Sequence, residues 1–103
     1  MRIKYFYLYR TTNRLNGMTY VGVRQTYKEP TTDSYLGSGT RLKLAVRKHG
    51  VHNFSKEVLD TFTSAVDMYA AEKEMVTEDF VARDDTYNLV EGGLGGDRIS
   101  MLP

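Results

Sequence analysis

With 103 residues the chain has room for one small domain built on one modest core. It contains no cysteine, which excludes disulfides and thiolate metal sites, and no apolar run approaches the roughly 20 residues that span a bilayer. The net charge of +1 conceals an asymmetry: residues 1–56 carry eleven Lys or Arg against Glu29 and Asp33, whereas residues 57–103 carry three against eleven acids. Such a split is read in two ways, as a basic surface that meets a polyanion or as two solvated faces that neutralise each other. Lys4 and Arg10 bracket an apolar stretch too short for a signal peptide, so a cytoplasmic location is expected.

The first element is a hairpin, residues 3–10 and 18–24, turning at Asn16-Gly17, a pair that suits a type I′ turn. Pairing Leu15 with Met18 sets Tyr9 opposite Arg24 and Asn13 opposite Tyr20. Side chains alternate along a strand, so Tyr7, Tyr9, Tyr20, Gly22 and Arg24 share one face, and Phe6, Leu8, Val21 and Val23 the other. A four-residue loop would keep these groupings; a three-residue loop would flip one strand. The aliphatic face reads as core, and the tyrosine face calls for another explanation.

Residues 25–38, with Pro30 and Gly37, read as a loop. A helix is predicted from about Ser38–Thr40 to Gly50, with Leu42, Ala45, Val46 and His49 as its buried stripe. Arg41, Lys43, Arg47 and Lys48 form its basic outer surface and are the candidate nucleic-acid contacts. Phe54 to Phe62 follows as a third strand, with Phe54, Val58 and Phe62 on one side and Leu59 on the other. Ser64 to Asp67 reads as a capping box opening a helix that runs to about Phe80. A polar turn at 83–86 leads to a short strand over 87–90, and the glycine cluster at 92–96 reads as a flexible exit. The fold class is α/β (α+β): a mostly antiparallel three-stranded sheet that starts with a hairpin and is flanked by helices. The domain is expected to cover residues 1–96, with a tail at 97–103.

Glu72 is the residue whose position most demands chemistry. The apolar stripe of its helix runs Ala65, Met68, Tyr69, then Val76 and Phe80, and Glu72 falls between them. An inward carboxylate is costly unless it is paired, hydrogen-bonded or bound to a cation. His49 and His52 are not expected to form a metal pair, because Gly50 ends the helix between them.

Tyr7-Leu8-Tyr9 and Tyr20-Val21-Gly22 resemble the two halves of the GIY-YIG endonuclease signature, with Tyr7 standing where the first glycine usually stands. Glu72 on a helix and Tyr87-Asn88-Leu89 before glycines resemble the later motifs, in the same order. The stretch from Tyr35-Leu36-Gly37-Ser38-Gly39 through Lys48-His49-Gly50 and Asn53-Phe54 is similar to the phage-encoded homing-endonuclease branch. The resemblance covers roughly residues 3–96. It implies a metal-dependent endonuclease that hydrolyses DNA phosphodiesters, with a phage or bacterial host cytoplasm as its setting. It implies Glu72 as ligand of one divalent cation, Mg²⁺ or Mn²⁺, and Tyr9 and Tyr20 as the residues that position or deprotonate water. Asn88 would orient the phosphate or the Glu72 carboxylate. The better-known homing enzymes carry their arginine on a helix after the second motif, where this chain has Lys28-Glu29-Pro30. Arg24 is therefore the first choice for that role, and Arg41 the second. The alternative is a nucleic-acid-binding module that keeps the scaffold without catalysis. With no DNA-reading motif beyond the basic helix, low sequence specificity is expected, or targeting through a homo-oligomer or a separate partner.

Overall fold

The computed structural model of the chain describes residues 2–92. Three strands, β1 (Tyr5–Asn13), β2 (Thr19–Thr26) and β3 (Phe54–Phe62), form one antiparallel sheet in the order β2-β1-β3. Helix α1 (Thr40–His49) lies between β2 and β3 in the chain, and α2 (Ala65–Met75) and α3 (Glu78–Val81) follow β3. Two short 3-10 turns, Pro30–Thr32 and Val51–Asn53, punctuate the connections.

The hairpin pairs Tyr9 with Gly22 and Thr11 with Tyr20, a shift of two residues from the expected register. A shift of two keeps every side chain on its face, so the groupings stand. The type I′ turn does not form. Asn13 N–H donates to the Met18 carbonyl and Gly17 N–H to the Asn13 carbonyl, which closes a four-residue loop over 14–17. Only Gly17, at φ 77°, has the left-handed backbone there, and Asn16 does not. The Asn13 and Asn16 side chains each accept a backbone N–H two residues on, from Leu15 and Met18, which offers this larger loop its own stabilisation.

Both faces of the sheet are covered. Leu8 and Val21 pack with Val76 on one face, joined by Ala71 and Met75 of α2. On the other face Tyr7, Tyr9, Thr11 and Asn13 are all at most 1% exposed, so the tyrosine face is core as well. Its cover is the 30–39 loop and α1, whose Leu42 and Ala45 pack with Phe54 and Tyr87. Burial of Leu42, at 1% exposure, is worth about 2 kcal/mol. The buried stripe of α1 is the expected one, and Arg41, Lys43, Arg47 and Lys48 all face solvent.

Three local expectations need correction. A bulge in β3 sets Leu8 opposite Asp60 but Tyr9 opposite Val58. The extra residue resets the alternation, so Phe62 joins Leu59 and Leu8 on the aliphatic face, away from Phe54 and Val58. The helix expected to reach Phe80 stops at Met75, because Thr77 caps a new helix by accepting the Phe80 N–H at 3.1 Å. Ser64 caps α2 as anticipated, accepting the Asp67 N–H. The last strand is reduced to a bridge, Thr86 beside Thr19 in parallel, and the reason lies in the Asn88 side chain described below. The exit at 93–96 and the tail at 97–103 lie outside the described residues. No described helix is long and apolar enough to cross a membrane.

Candidate active site

At the outer edge of β2 a cavity of about 610 Å³ collects Tyr9, Tyr20, Glu72 and Asn88. Gly22, on the tyrosine face, and Val23, on the aliphatic face, both line it, so the cavity straddles the strand edge. It is completed by Ser38, Gly39 and Thr40 at the start of α1, by Tyr69 of α2, and by Tyr87, Leu89 and Val90.

Glycines make the rings fit. A Cβ on Gly22 would lie 2.6 Å from the Tyr9 hydroxyl oxygen and 3.0 Å from Cε2 of Tyr20. A Cβ on Gly39 would lie 2.6 Å from Cε1 of Tyr20, and one on Gly37 2.8 Å from Cε2 of that ring. The bare backbone at 22 thus lets the Tyr9 phenol reach across β2 toward the cavity. Gly22→Ala is expected to cost about 1–3 kcal/mol by overpacking, since Tyr9 is 1% exposed and has nowhere to move. Thermal melting checks this, and an unchanged melting temperature would mean that the ring relocates freely.

Neither phenol is made more acidic by its surroundings. Burial, followed by charge repulsion with Tyr20 and Tyr35, pushes the Tyr9 hydroxyl far above the usual tyrosine range; Glu72 adds to this. Tyr20 is raised too, by burial first and then by Tyr35. However, hydrogen bonds to Ser38 and to the Gly39 backbone pull it back. Both phenols are protonated in the unliganded protein, and Tyr20 has the closer hydrogen-bonding help for a negative oxygen.

Asn88 is held by the strand edge. Its Oδ1 accepts the Val21 N–H at 2.9 Å and its Nδ2 donates to the Val21 carbonyl at 2.8 Å. The Thr86 hydroxyl also donates to Oδ1, at 3.0 Å. The side-chain amide therefore does the work of a paired backbone, which is why no regular strand follows Thr86. This fixes the cavity wall through Asn88. Glu72 is half-buried, and a Cβ on Gly92 would meet its Cγ at 2.7 Å. Among the described residues no group of three or more His, Cys, Asp and Glu is arranged to hold a metal. A single carboxylate in a roomy polar cavity still fits Mg²⁺, which retains several waters and uses one or two carboxylates with substrate phosphate.

Arg24 is not part of this cavity lining. Its Nε donates to Asp33 Oδ2 at 2.6 Å, and its guanidinium stacks 4.0 Å from the Tyr35 ring centre. The Tyr7 hydroxyl donates to the same Asp33 oxygen at 2.7 Å. Lys56 Nζ donates to the Tyr7 hydroxyl and to the Asp33 and Tyr35 carbonyls at 2.7–2.9 Å, which uses all three of its protons. Sequence reasoning missed this network, because Asp33 and Lys56 carry no motif and meet only through the loop crossing. Arg41 is exposed in the first turn of α1, beside the cavity-lining Thr40, and the other three basic residues continue along that helix. His49 and His52 do not line the cavity.

Burial alone would raise the Asp33 carboxyl, but hydrogen bonds from Arg24, Tyr7 and the Tyr35 N–H hold it down at about 2. A depressed carboxylate stabilises the fold above its unfolded value of 3.8, and that contribution disappears as pH falls from about 4 toward 2. Asp33→Asn should lower stability at neutral pH by about 3 kcal/mol, since Arg24 retains partial solvent access. The variant should also lose part of the wild type's melting-point fall between pH 4 and 2. Parallel melting curves across that window would refute the assignment.

Relatives of the chain occur in Enterobacteria phage T4. It is 48% identical over 92 residues to the protein named "Putative endonuclease segB", an alignment covering 89% of this chain and 41% of that protein. Identity to "Putative endonuclease segD" is 45% over 94 residues, 91% of this chain and 41% of the relative. For "Endonuclease segA" it is 42% over 96 residues, 93% and 42% respectively. No protein-family model matches the chain, and no solved structure matches it. The similarity thus covers nearly all of this chain and less than half the length of each T4 protein.

Proposed function

We propose that the chain is a GIY-YIG-type nuclease module that hydrolyses DNA phosphodiesters with the help of one divalent cation. The observation that carries this reading is the convergence of Tyr9, Tyr20, Glu72 and Asn88, from four separate segments, on one cavity. The endonuclease names of the T4 relatives support it.

In this reading Glu72 holds the cation, Mg²⁺ or Mn²⁺, which when bound supplies charge neutralisation at a phosphoryl oxygen and acidifies a water. Tyr20, in its deprotonated form, takes the proton of the attacking water and becomes the neutral phenol, because hydrogen bonds to Ser38 and Gly39 favour a negative charge on its oxygen. Tyr9, more deeply buried and raised more strongly, stays protonated and donates a hydrogen bond. Asn88 keeps β2 and the 86–90 segment in register, so that Glu72 and the phenols face one space. With Arg24 clamped by Asp33, Arg41 becomes the first candidate to stabilise phosphoryl charge, where a planar bidentate donor suits the geometry.

The exposed basic residues of α1 track the phosphate backbone. Neutralising two of Arg41, Lys43, Arg47 and Lys48 should weaken binding to all DNA sequences. It should also flatten the plot of log affinity against log salt by roughly 2 units. An unchanged slope would make this helix a solvated face only. Cleavage by this chain alone is expected to show little sequence preference, with targeting supplied by oligomerisation or a partner. A single defined cleavage site would contradict that.

The clamping of Arg24 favours one second reading, a scaffold that binds nucleic acid without cutting it. Divalent-metal-dependent cutting of plasmid DNA by the purified chain decides between them. Salt-sensitive binding with no cutting in Mg²⁺ or Mn²⁺ would favour the second.

A further inference from the structure

A carboxylate, two phenols and a cation account for only part of the cavity. Tyr69, Leu89 and Val90 line the same cavity and have no part in holding the cation or the water. Part of the remaining wall is apolar. Leu89 and Val90 line the cavity and are 54% and 41% exposed, although each belongs to a residue type that is usually buried. Their exposure is built in by anchors at both ends of the segment. Asn88 is bound to Val21 of β2, and Gly92 N–H donates to the Val76 carbonyl after α2 at 2.8 Å. Residues 89–91 therefore bridge from the strand edge to the helix, and they flank Glu72 at the point where Gly92 packs on it. Facing the same space is Tyr69, one turn before Glu72 on α2, whose hydroxyl accepts from Gln25 Nε2 at 3.3 Å. The sequence periodicity places Tyr69 in the apolar stripe of this helix. An aromatic ring tethered by its hydroxyl, beside two exposed aliphatic side chains, suits a flat apolar group rather than a phosphate.

We propose that Tyr69, Leu89 and Val90 form a subsite for the sugar and base of the nucleotide next to the scissile phosphate. The proposal rests on the nuclease reading and deepens it. The phosphate stays at the polar end of the cavity, near Glu72 and the phenols, and the adjoining nucleoside lies against the apolar wall. Such a subsite favours any nucleotide with a stackable face over a bare phosphodiester, and it requires the base to leave, or already lack, its duplex stacking.

The test uses the full chain and two probes, the dinucleotide TpT and dimethyl phosphate, titrated by NMR in the presence of Ca²⁺. TpT should bind saturably and shift signals of Tyr69, Leu89 and Val90, whereas dimethyl phosphate should leave those three unshifted. The double variant Leu89→Ser/Val90→Ser changes exposed residues and should fold, which its own spectrum checks. It should bind TpT about tenfold more weakly. Tyr69→Phe keeps the ring and should retain most TpT affinity, while Tyr69→Ala should lose it. Identical shift patterns for the two probes, no TpT binding, or undiminished TpT binding by the double variant would each overturn the subsite. Plasmid cutting measured alongside separates the two claims. Cutting without TpT contacts defeats the subsite alone, and TpT binding at this wall without cutting defeats the enzymatic reading alone.

Discussion

Glu72→Gln is expected to cut plasmid DNA at least about 10²–10³ times more slowly than the wild type, with little change in melting temperature. Gln keeps the shape and one carbonyl oxygen but removes the charge that would hold a hard cation. The stability half of the expectation follows from the site. Glu72 is half-buried and lines a cavity of mixed polar and apolar character, so its side chain keeps partial access to solvent. A fully buried ion-pair partner would instead lose about 3–5 kcal/mol on the same change. A second consequence is electrostatic. The Glu72 charge helps to raise both Tyr9 and Tyr20, so the variant relieves part of that shift even as it slows cutting. DNA binding in the absence of divalent metal should be undiminished. Plasmid cutting, melting and metal-free binding measured on one preparation check all three, and either wild-type cutting or a sharp drop in melting temperature defeats the assignment.

Tyr20→Phe should slow cutting by about 10²–10⁴, the usual contribution of a positioned acid–base group, and should do so without unfolding the protein. The ring itself packs closely over Gly37 and Gly39 and beside Gly22, contacts that Phe retains. Only the hydroxyl, with its hydrogen bonds to Ser38 and the Gly39 backbone, is removed. The wild-type pH profile carries the sharper test. Because the Tyr20 hydroxyl lies above the ordinary value of 10, only a small deprotonated fraction exists at neutral pH. The log of the rate should then rise about one unit per pH unit through the neutral range, and Tyr20→Phe should flatten this rise. Tyr9→Phe should slow the reaction less and preserve the slope, as expected for a hydrogen-bond donor. If Tyr9→Phe flattens the profile and Tyr20→Phe does not, the two roles are exchanged.

Much of the architecture was legible in the sequence because it depends on period and on local signals. The period of two sorted the hairpin faces correctly, and that sorting survived a two-residue error in register because parity is all it needs. The period of 3.6 laid out α1, including its basic outer face, and set Glu72 among the inward positions of α2. Gly50 ended α1, and Ser64 began α2, by chemistry confined to a few neighbouring residues. What only the tertiary structure decided are the features in which one segment answers another far along the chain. The bulge that turns Phe62 to the aliphatic face exists only in relation to β1. Asn88 replaces a strand with its side chain because Val21, 67 residues away, offers an open edge. Arg24 is held by Asp33 because the 30–39 loop crosses the tyrosine face and must satisfy the polar groups that it buries. The sequence determined which residues face each side of its elements. Which of those faces are sealed, and which open onto the cavity at the β2 edge, depends on contacts whose strength is set by distance in space rather than along the chain.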